Sequence, residues 1–323
     1  MPQDDLEPEI ATLLDKSRNA HRAPFWQCTP EEARSRPMLM DLFFGTSPAV
    51  ARVEDFHIPS SDGHDLRVRL YVPSPNPRGL IVYFHGGGWV VGTVDAYHPF
   101  AATLAQRSGC AVLSVDYRLA PEHRFPKPLD DALAAIEWAA SHAPARLGGP
   151  VAALIVMGDS AGGNLATVAA RLHNEAAPPV RVDLQVLAYP VTDCDFDTGS
   201  YHEFAEGFLL TRRDMIWFWD QYLPDADARR NPLASPLRAS DLAASPQAFI
   251  LSAGLDPLRD EGEAYAQRLV AAHVPTQVRR YAGLPHGFLA MIHYAPSAGR
   301  AFDDILRTVD EVVSRPRPAG TRA

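Results

Sequence analysis

The sequence predicts an α/β fold: a mostly parallel sheet with helices on both faces. Three observations carry this expectation. Short β-rich runs alternate with helical stretches along most of the chain, the rhythm of parallel strands joined by helical crossovers. Three of those runs, Ala152–Met157, Leu184–Tyr189 and Ala248–Ser252, are almost continuously apolar, as strands buried on both faces are. An apolar run also ends at Met157, directly before Gly158-Asp159-Ser160-Ala161-Gly162 and a helical stretch, which reads as strand, sharp turn and helix.

Residues 1–50 carry helical patterning and no strand signal. Ile10, Leu13 and Leu14 form one apolar face, and Thr29-Pro30-Glu31-Glu32 has the form of a helix start with Thr29 as N-cap. Met38, Leu39, Leu42, Phe43 and Phe44 give a second apolar cluster, suited either to packing on the main body or to a lid over a pocket. Val53–Pro59 and Leu66–Val72 alternate apolar and polar residues around the turn Ser61-Asp62-Gly63, the pattern of an antiparallel hairpin. Strands are then expected over Leu80–Phe84, Ala111–Val115, the three apolar runs and Gln277–Tyr281. Helices are expected over Tyr97–Ser108, Pro128–Ser141, Ala161–Asn174, Asp260–Ala272 and Ser297–Val313. Residues 195–233 break the rhythm, being longer than a crossover needs. They contain an aromatic-rich helix, Thr211–Tyr222, with Thr211 as N-cap and Asp214 three residues on.

Composition narrows the function classes. The 323 residues suit one large domain with extra segments, and 46% hydrophobic with 21% charged residues is ordinary for a soluble globular protein. A formal net charge of −9 without a basic patch argues against a nucleic-acid partner. Cys28, Cys110 and Cys194 are widely spaced and show no zinc or CxxC spacing, so reduced thiols are expected, and no histidine cluster suggests a metal. The acidic N-terminus lacks the pattern of a signal peptide, and no apolar run is long enough to span a bilayer, so a cytoplasmic protein without stable membrane association is expected.

The elbow around Ser160 suits a nucleophile: Gly158 and Gly162 leave room for a strained turn that lifts the hydroxyl above a helix N-terminus. The competing reading is a serine that only caps the helix. A serine nucleophile needs a base and a carboxylate to orient it. Asp256, after Ala248–Ser252, and His286, after Gln277–Tyr281, stand where loops at strand ends supply them. A turn or capping aspartate is the competing reading for Asp256, though it suits Asp260 better. The run His85-Gly86-Gly87-Gly88-Trp89 follows a strand and lets backbone amides turn toward an oxyanion. A phosphate loop is excluded there because no lysine follows the glycines.

Taken together, HGGGW, Asp116-Tyr117-Arg118-Leu119-Ala120-Pro121-Glu122-His123, GDSAGGN, Asp256-Pro257-Leu258-Arg259-Asp260-Glu261-Gly262 and His286-Gly287-Phe288 resemble the hormone-sensitive lipase-like, or family IV, bacterial carboxylesterases. The elbow resembles that family's GDSAG subgroup. The resemblance implies an α/β-hydrolase fold with a helical cap: residues 1–50 as cap segment, 51–194 and 234–323 as the two parts of the core, and 195–233 as a cap insertion. It implies Ser160 as nucleophile, Asp256 as acid and His286 as base, with the amides of Gly87, Gly88 and Ala161 meeting the oxyanion. His85, Gly86 and Asp159 would support the motif, and Arg118 and Glu122 would serve loop architecture through partners not legible in the sequence. Pro285 before His286 departs from the family's usual pattern.

The expected reaction is a two-step acyl transfer on a small ester with a short or medium acyl chain, needing no metal or organic cofactor. Trp89, Phe208, Leu209, Leu210, Met215 and Trp219 are the candidate pocket walls. The last strand and its following helix offer a face for a homodimer. Two alternatives stay open: an amidase or deacetylase with the same triad, and a non-catalytic ligand-binding protein, as in the similar plant gibberellin receptors.

Overall fold

The computed structural model describes residues 6–19 and 23–315. At one edge of its sheet β1 (Arg52–Pro59) and β2 (Asp65–Val72) pair antiparallel, from Arg52 opposite Val72 to Pro59 opposite Asp65. The turn at residues 61–63 that joins them is the one expected. The other strands are β3 (Leu80–Phe84), β4 (Ala111–Val115), β5 (Leu154–Asp159), β6 (Leu184–Ala188), β7 (Gln247–Leu255) and β8 (Thr276–Pro285). They complete one eight-stranded sheet in the order β1-β2-β4-β3-β5-β6-β7-β8. β2 meets β4 antiparallel, and every pairing from β4 to β8 is parallel. This is the α/β-hydrolase arrangement.

Period-two side-chain alternation divides the central strands between two cores. Leu80, Val82 and Phe84 of β3, with Leu154 and Val156 of β5, enter one apolar cluster. They meet Leu129 and Ala132 of α5 (Lys127–Ser141) and Leu165 and Ala169 of α7 (Ala161–Glu175) there. Ile81, Tyr83, Ile155 and Met157 enter the other, with Phe100 and Leu104 of α4 (His98–Ser108) and Phe302, Ile305 and Val309 of α11 (Pro296–Val313). β3, β4, β5 and β6 are buried along their whole length, which is why they read as apolar runs.

The first fifty residues form α1 (Pro8–Asn19), α2 (Pro30–Arg34) and α3 (Leu39–Phe43). Residues 1–5 and 20–22 of the expected cap segment lie outside the described residues. Ile10, Leu13 and Leu14 are buried as their spacing predicts, and Thr29 closes a capping box with Glu32. Between β6 and β7 lie α8 (Gly199–Glu203) and α9 (Arg212–Tyr222), the latter capped by Thr211 and Asp214 as expected.

Two short helices and the ends of two strands differ from expectation. α6 (Ala143–Leu147) and α8 have no counterpart in the sequence reading, being five residues each and too short for a helical period to declare itself. β7 and β8 run on to Leu255 and Pro285, through glycines that suggest turns. Their mutual pairing supplies the ladder that local propensity withholds. A register shift between Ala253 and Leu255 accommodates Gly254, whose missing Cβ lets Ala282 approach.

Candidate active site

β5 delivers its chain to Ser160 and α7 begins at the next residue. Ser160 has φ 56° and ψ −122°, a region costly for an L residue and held only where the surroundings dictate it. Its side chain makes no capping bond to the helix, so the competing reading fails. The turn is sharp because Gly162 lacks a Cβ: one there would run into the Phe84 carbonyl oxygen. The Ser160 amide donates to the Ala188 carbonyl at 2.9 Å, which fixes the elbow on β6.

Residues contributed by β7 and β8 meet that hydroxyl. His286 Nε2 lies 3.0 Å from Ser160 Oγ, and its Nδ1 lies 2.7 Å from Asp256 Oδ2. Asp256 is fully buried, and its other oxygen accepts from the Leu258 amide at 2.9 Å. The turn role and the orienting role are thus served by the two oxygens of one carboxylate. Asp260 does not cap α10 (Arg259–Ala271). It accepts from the Ser200 amide at 2.7 Å and from Arg259 at 2.9 Å, joining α8 to α10.

The glycine loop arches over the same point. Gly87 and Gly88 have φ 123° and 58°, and their amides donate to no acceptor among the described residues. The Ala161 amide opens α7 and has no partner within the helix. Three donors are therefore free beside the serine. Gly86 is anchored instead: its amide donates to Asp159 Oδ1 at 3.0 Å, and Tyr83 donates to the same oxygen at 2.6 Å. Burial pushes the Asp159 carboxyl up to about 6, against the lowering effect of those two donors. His85 is fully buried, bonded to the Gly86 carbonyl at 2.8 Å and stacked on Tyr117 at 4.4 Å. Its desolvation holds it toward the neutral form.

Ser160, His286, Asp159, Gly87 and Gly88 open on one cavity of about 550 Å³. Of the expected walls, Leu209, Leu210 and Met215 line it. Trp89, Trp219 and Phe208 do not, and this corrects the sequence reading. Trp89 stacks on Tyr222 with an interplanar angle of 6° and meets Trp219 edge-on, so both indoles are consumed in fixing α9 to the loop. Phe208 turns to Phe204 and to the Arg18 guanidinium. Sequence reasoning missed Phe25, Phe218 and Tyr189 on the lining, whereas Met38, Leu39, Leu42 and Phe43, from the cluster that suited either packing or a lid, do line it. Tyr189 has φ 37°, and its ring lies 4.7 Å from that of His286. No sequence signal marked it.

Arg118 and Glu122 find their partners. Arg118 forks onto buried Asp131 at 2.7 and 2.9 Å and reaches Asp62 in the β1–β2 turn at 2.9 Å. Glu122 takes Arg34 of α2 at 2.6 and 2.9 Å, while the same guanidinium donates to the carbonyls of Val90 and Ala120.

A hydroxyl beside a carboxylate-oriented imidazole can add to an acyl carbon, and unengaged amides near it can stabilise an oxyanion. Known proteins share the framework. Residues 81–290 match a family described as having the alpha/beta hydrolase fold. The chain is 38% identical over 298 residues to an ethyl acetate hydrolase of Pseudomonas putida, covering 88% of this chain and 92% of that protein. It is 37% identical over 255 residues to the carboxylesterase NlhH of Mycobacterium tuberculosis, covering 77% and 79%. A solved ester hydrolase from the metagenome of Lake Arreo superposes with a TM-score of 0.86 at 36% identity, covering 95% of this chain and 98% of that one.

Proposed function

The chain belongs to the alpha/beta hydrolase fold family and is a carboxylic ester hydrolase of the serine type, and on that premise we propose how its residues divide the work. Ser160 adds to the ester carbonyl while His286 Nε2 takes its proton. Asp256 holds the imidazole by Nδ1. The amides of Gly87, Gly88 and Ala161 receive the developing oxyanion, each such donor being worth about 3–4 kcal/mol of the barrier. His286 then returns the proton to the leaving alcohol, and water activated by His286 releases the acid from the acyl-enzyme. Asp159, Gly86 and His85 hold the glycine loop in place.

The observation that carries this reading is the continuous relay from Ser160 Oγ through His286 to Asp256, at 3.0 and 2.7 Å, opening on a largely apolar cavity. The size of that cavity supports short and medium acyl chains, and the name of the ethyl acetate hydrolase relative supports the short end. We read residues 6–50 and 195–233 as a cap, because α1, the 36–43 stretch and α9 all contribute to the walls. No helix among the described residues is long and apolar enough to cross a membrane. The reading places the enzyme in the cytoplasm, supported by three free thiols, and keeps the outer edge of β8, with its exposed Val278, as a homodimer surface.

The test is hydrolysis of p-nitrophenyl esters from acetate to palmitate by wild type and Ser160→Ala. Turnover should peak at short or medium chains and fall by at least about 10⁴-fold in the variant. Equal rates in the two proteins overturn the nucleophile assignment.

A further inference from the structure

Most arginines of this protein rest on carboxylates: Arg67 on Asp55 and Asp95, Arg118 on Asp62 and Asp131, Arg238 on Asp193. Three cations on the catalytic cavity differ. Lys16 and Arg18, in the last turn of α1, and Arg36, between α2 and α3, all line the cavity that holds Ser160 and His286. None of the three has an ion-pair partner among the described residues.

Two of them are nonetheless held in place. Arg18 donates to the Gly207 carbonyl at 3.3 Å and lies 5.5 Å from the Phe208 ring centre. Arg36 donates to the Ala23 carbonyl at 2.6 Å, meets Cys28 Sγ and lies 5.8 Å from the Phe25 ring centre. Neutral acceptors and ring faces position these guanidinium groups, and among the described residues the one carboxylate that interacts with any of the three cations is Glu32, which acts on Arg36 through space without a direct ion pair. The carboxylates on the same lining are Asp159 and Asp214. Asp159 serves Gly86 and Tyr83. Asp214 accepts from Thr211 Oγ1 at 2.7 Å, the Thr211 amide at 3.2 Å and the Trp26 amide at 3.1 Å. Both are thus engaged by their own loops, and the rest of the wall is largely apolar, with Leu13, Met38, Leu209, Met215 and Phe218.

A net charge of −9 sets up a field that repels anions. Three cations without a direct ion pair around an apolar pocket reverse that sign locally, and a neutral ester gains nothing from them. A guanidinium matches a carboxylate through paired N–H donors. We propose that the preferred substrate is an ester bearing a carboxylate remote from the scissile bond, with the ester at Ser160 and the carboxylate among Lys16, Arg18 and Arg36. This rests on the ester-hydrolase reading of the same cavity. The carboxylate belongs either to the acyl part, as in a half-ester of a dicarboxylic acid, or to the alcohol part, as in an acylated hydroxy acid. In both cases water supplies the oxygen bound to the acyl carbon, and the alcohol leaves with a proton from His286.

Two substrate pairs test it: mono-4-nitrophenyl glutarate against 4-nitrophenyl butyrate, and 4-butyryloxybenzoate against phenyl butyrate. At low salt the charged member of one pair should have a KM about three- to tenfold below its neutral partner. Which pair shows the gap identifies the side that carries the anion. The gap should close at about 0.5 M salt and shrink in Lys16→Gln/Arg18→Gln and in Arg36→Gln. Arg230→Gln, an exposed arginine off the cavity, controls for net charge and should keep it. Equal or higher KM for both charged esters, or a gap that survives all cavity substitutions, overturns the proposal while neutral turnover leaves the ester-hydrolase reading standing. Failure to turn over any of the four overturns both.

Discussion

Asp159 does with one carboxylate what a loop of flexible glycines cannot do for itself. Gly86, Gly87 and Gly88 gain from lacking side chains the freedom to aim amides, and the Asp159 bonds to the Gly86 amide and Tyr83 hydroxyl remove that freedom again. Burial raises its carboxyl from the usual 3.8 to about 6. A group raised on folding holds its proton more tightly in the native state, so its contribution to stability is fully present below the unfolded value and lost as pH rises through the folded one. The difference amounts to about 3 kcal/mol between about pH 4 and pH 6. Asp159→Asn retains an oxygen acceptor for Gly86 and removes the titration. Urea unfolding should therefore show wild type losing stability relative to the variant across that window. Parallel pH dependence of the two midpoints would contradict it.

Among the elements, α9 is the one that couples the wall of the pocket to the chemistry. Its N-terminus is closed by the Thr211–Asp214 box, and Asp214 also takes the Trp26 amide, tying the N-terminal segment to the insertion. At the fourth and seventh positions of the helix its Met215 and Phe218 reach the cavity, and Phe218 lies where a Cβ at Gly88 would fall. Gly88→Ala should lower kcat by about 10²-fold, because it displaces a donor and strains a residue at φ 58°. Removing the obstructing ring in Gly88→Ala/Phe218→Ala should restore part of that loss. A double-mutant cycle on kcat measures the coupling, and strictly additive losses would mean that the ring and the loop act independently.

For the whole molecule, the sheet is pinned to its flanking layers by a few charged staples. Arg118 joins the β1–β2 turn to α5 through Asp62 and Asp131, and Ser60 adds a bond to Asp131 at 2.6 Å. Arg34 and Glu122 fasten α2 to the segment beyond β4. Asp131 is fully buried, so deleting its partner strands a charge. Arg118→Met should cost about 3–5 kcal/mol in denaturant unfolding, while kcat per folded molecule holds, since the residue touches nothing in the cavity. A fall in kcat with unchanged stability would place Arg118 in the chemistry instead of the scaffold.

Ser160, Asp256 and His286 are legible in the sequence because each sits in a strand–turn pattern whose local chemistry is self-contained: two glycines around a serine, an aspartate before a proline, a histidine after a β-run. The parallel sheet is legible for a similar reason, since strands buried on both faces must be apolar throughout. The pocket is not. Whether Trp89, Phe208 and Trp219 face substrate or one another depends on how α9 docks on the glycine loop, and stacking of large rings wins over cavity exposure. Nor does the sequence place Lys16, Arg18 and Arg36 on the cavity that holds Ser160, more than a hundred residues away. That neighbourhood exists only once the N-terminal helices have folded across the sheet edge, because long-range packing, unlike a turn, leaves no local pattern to read.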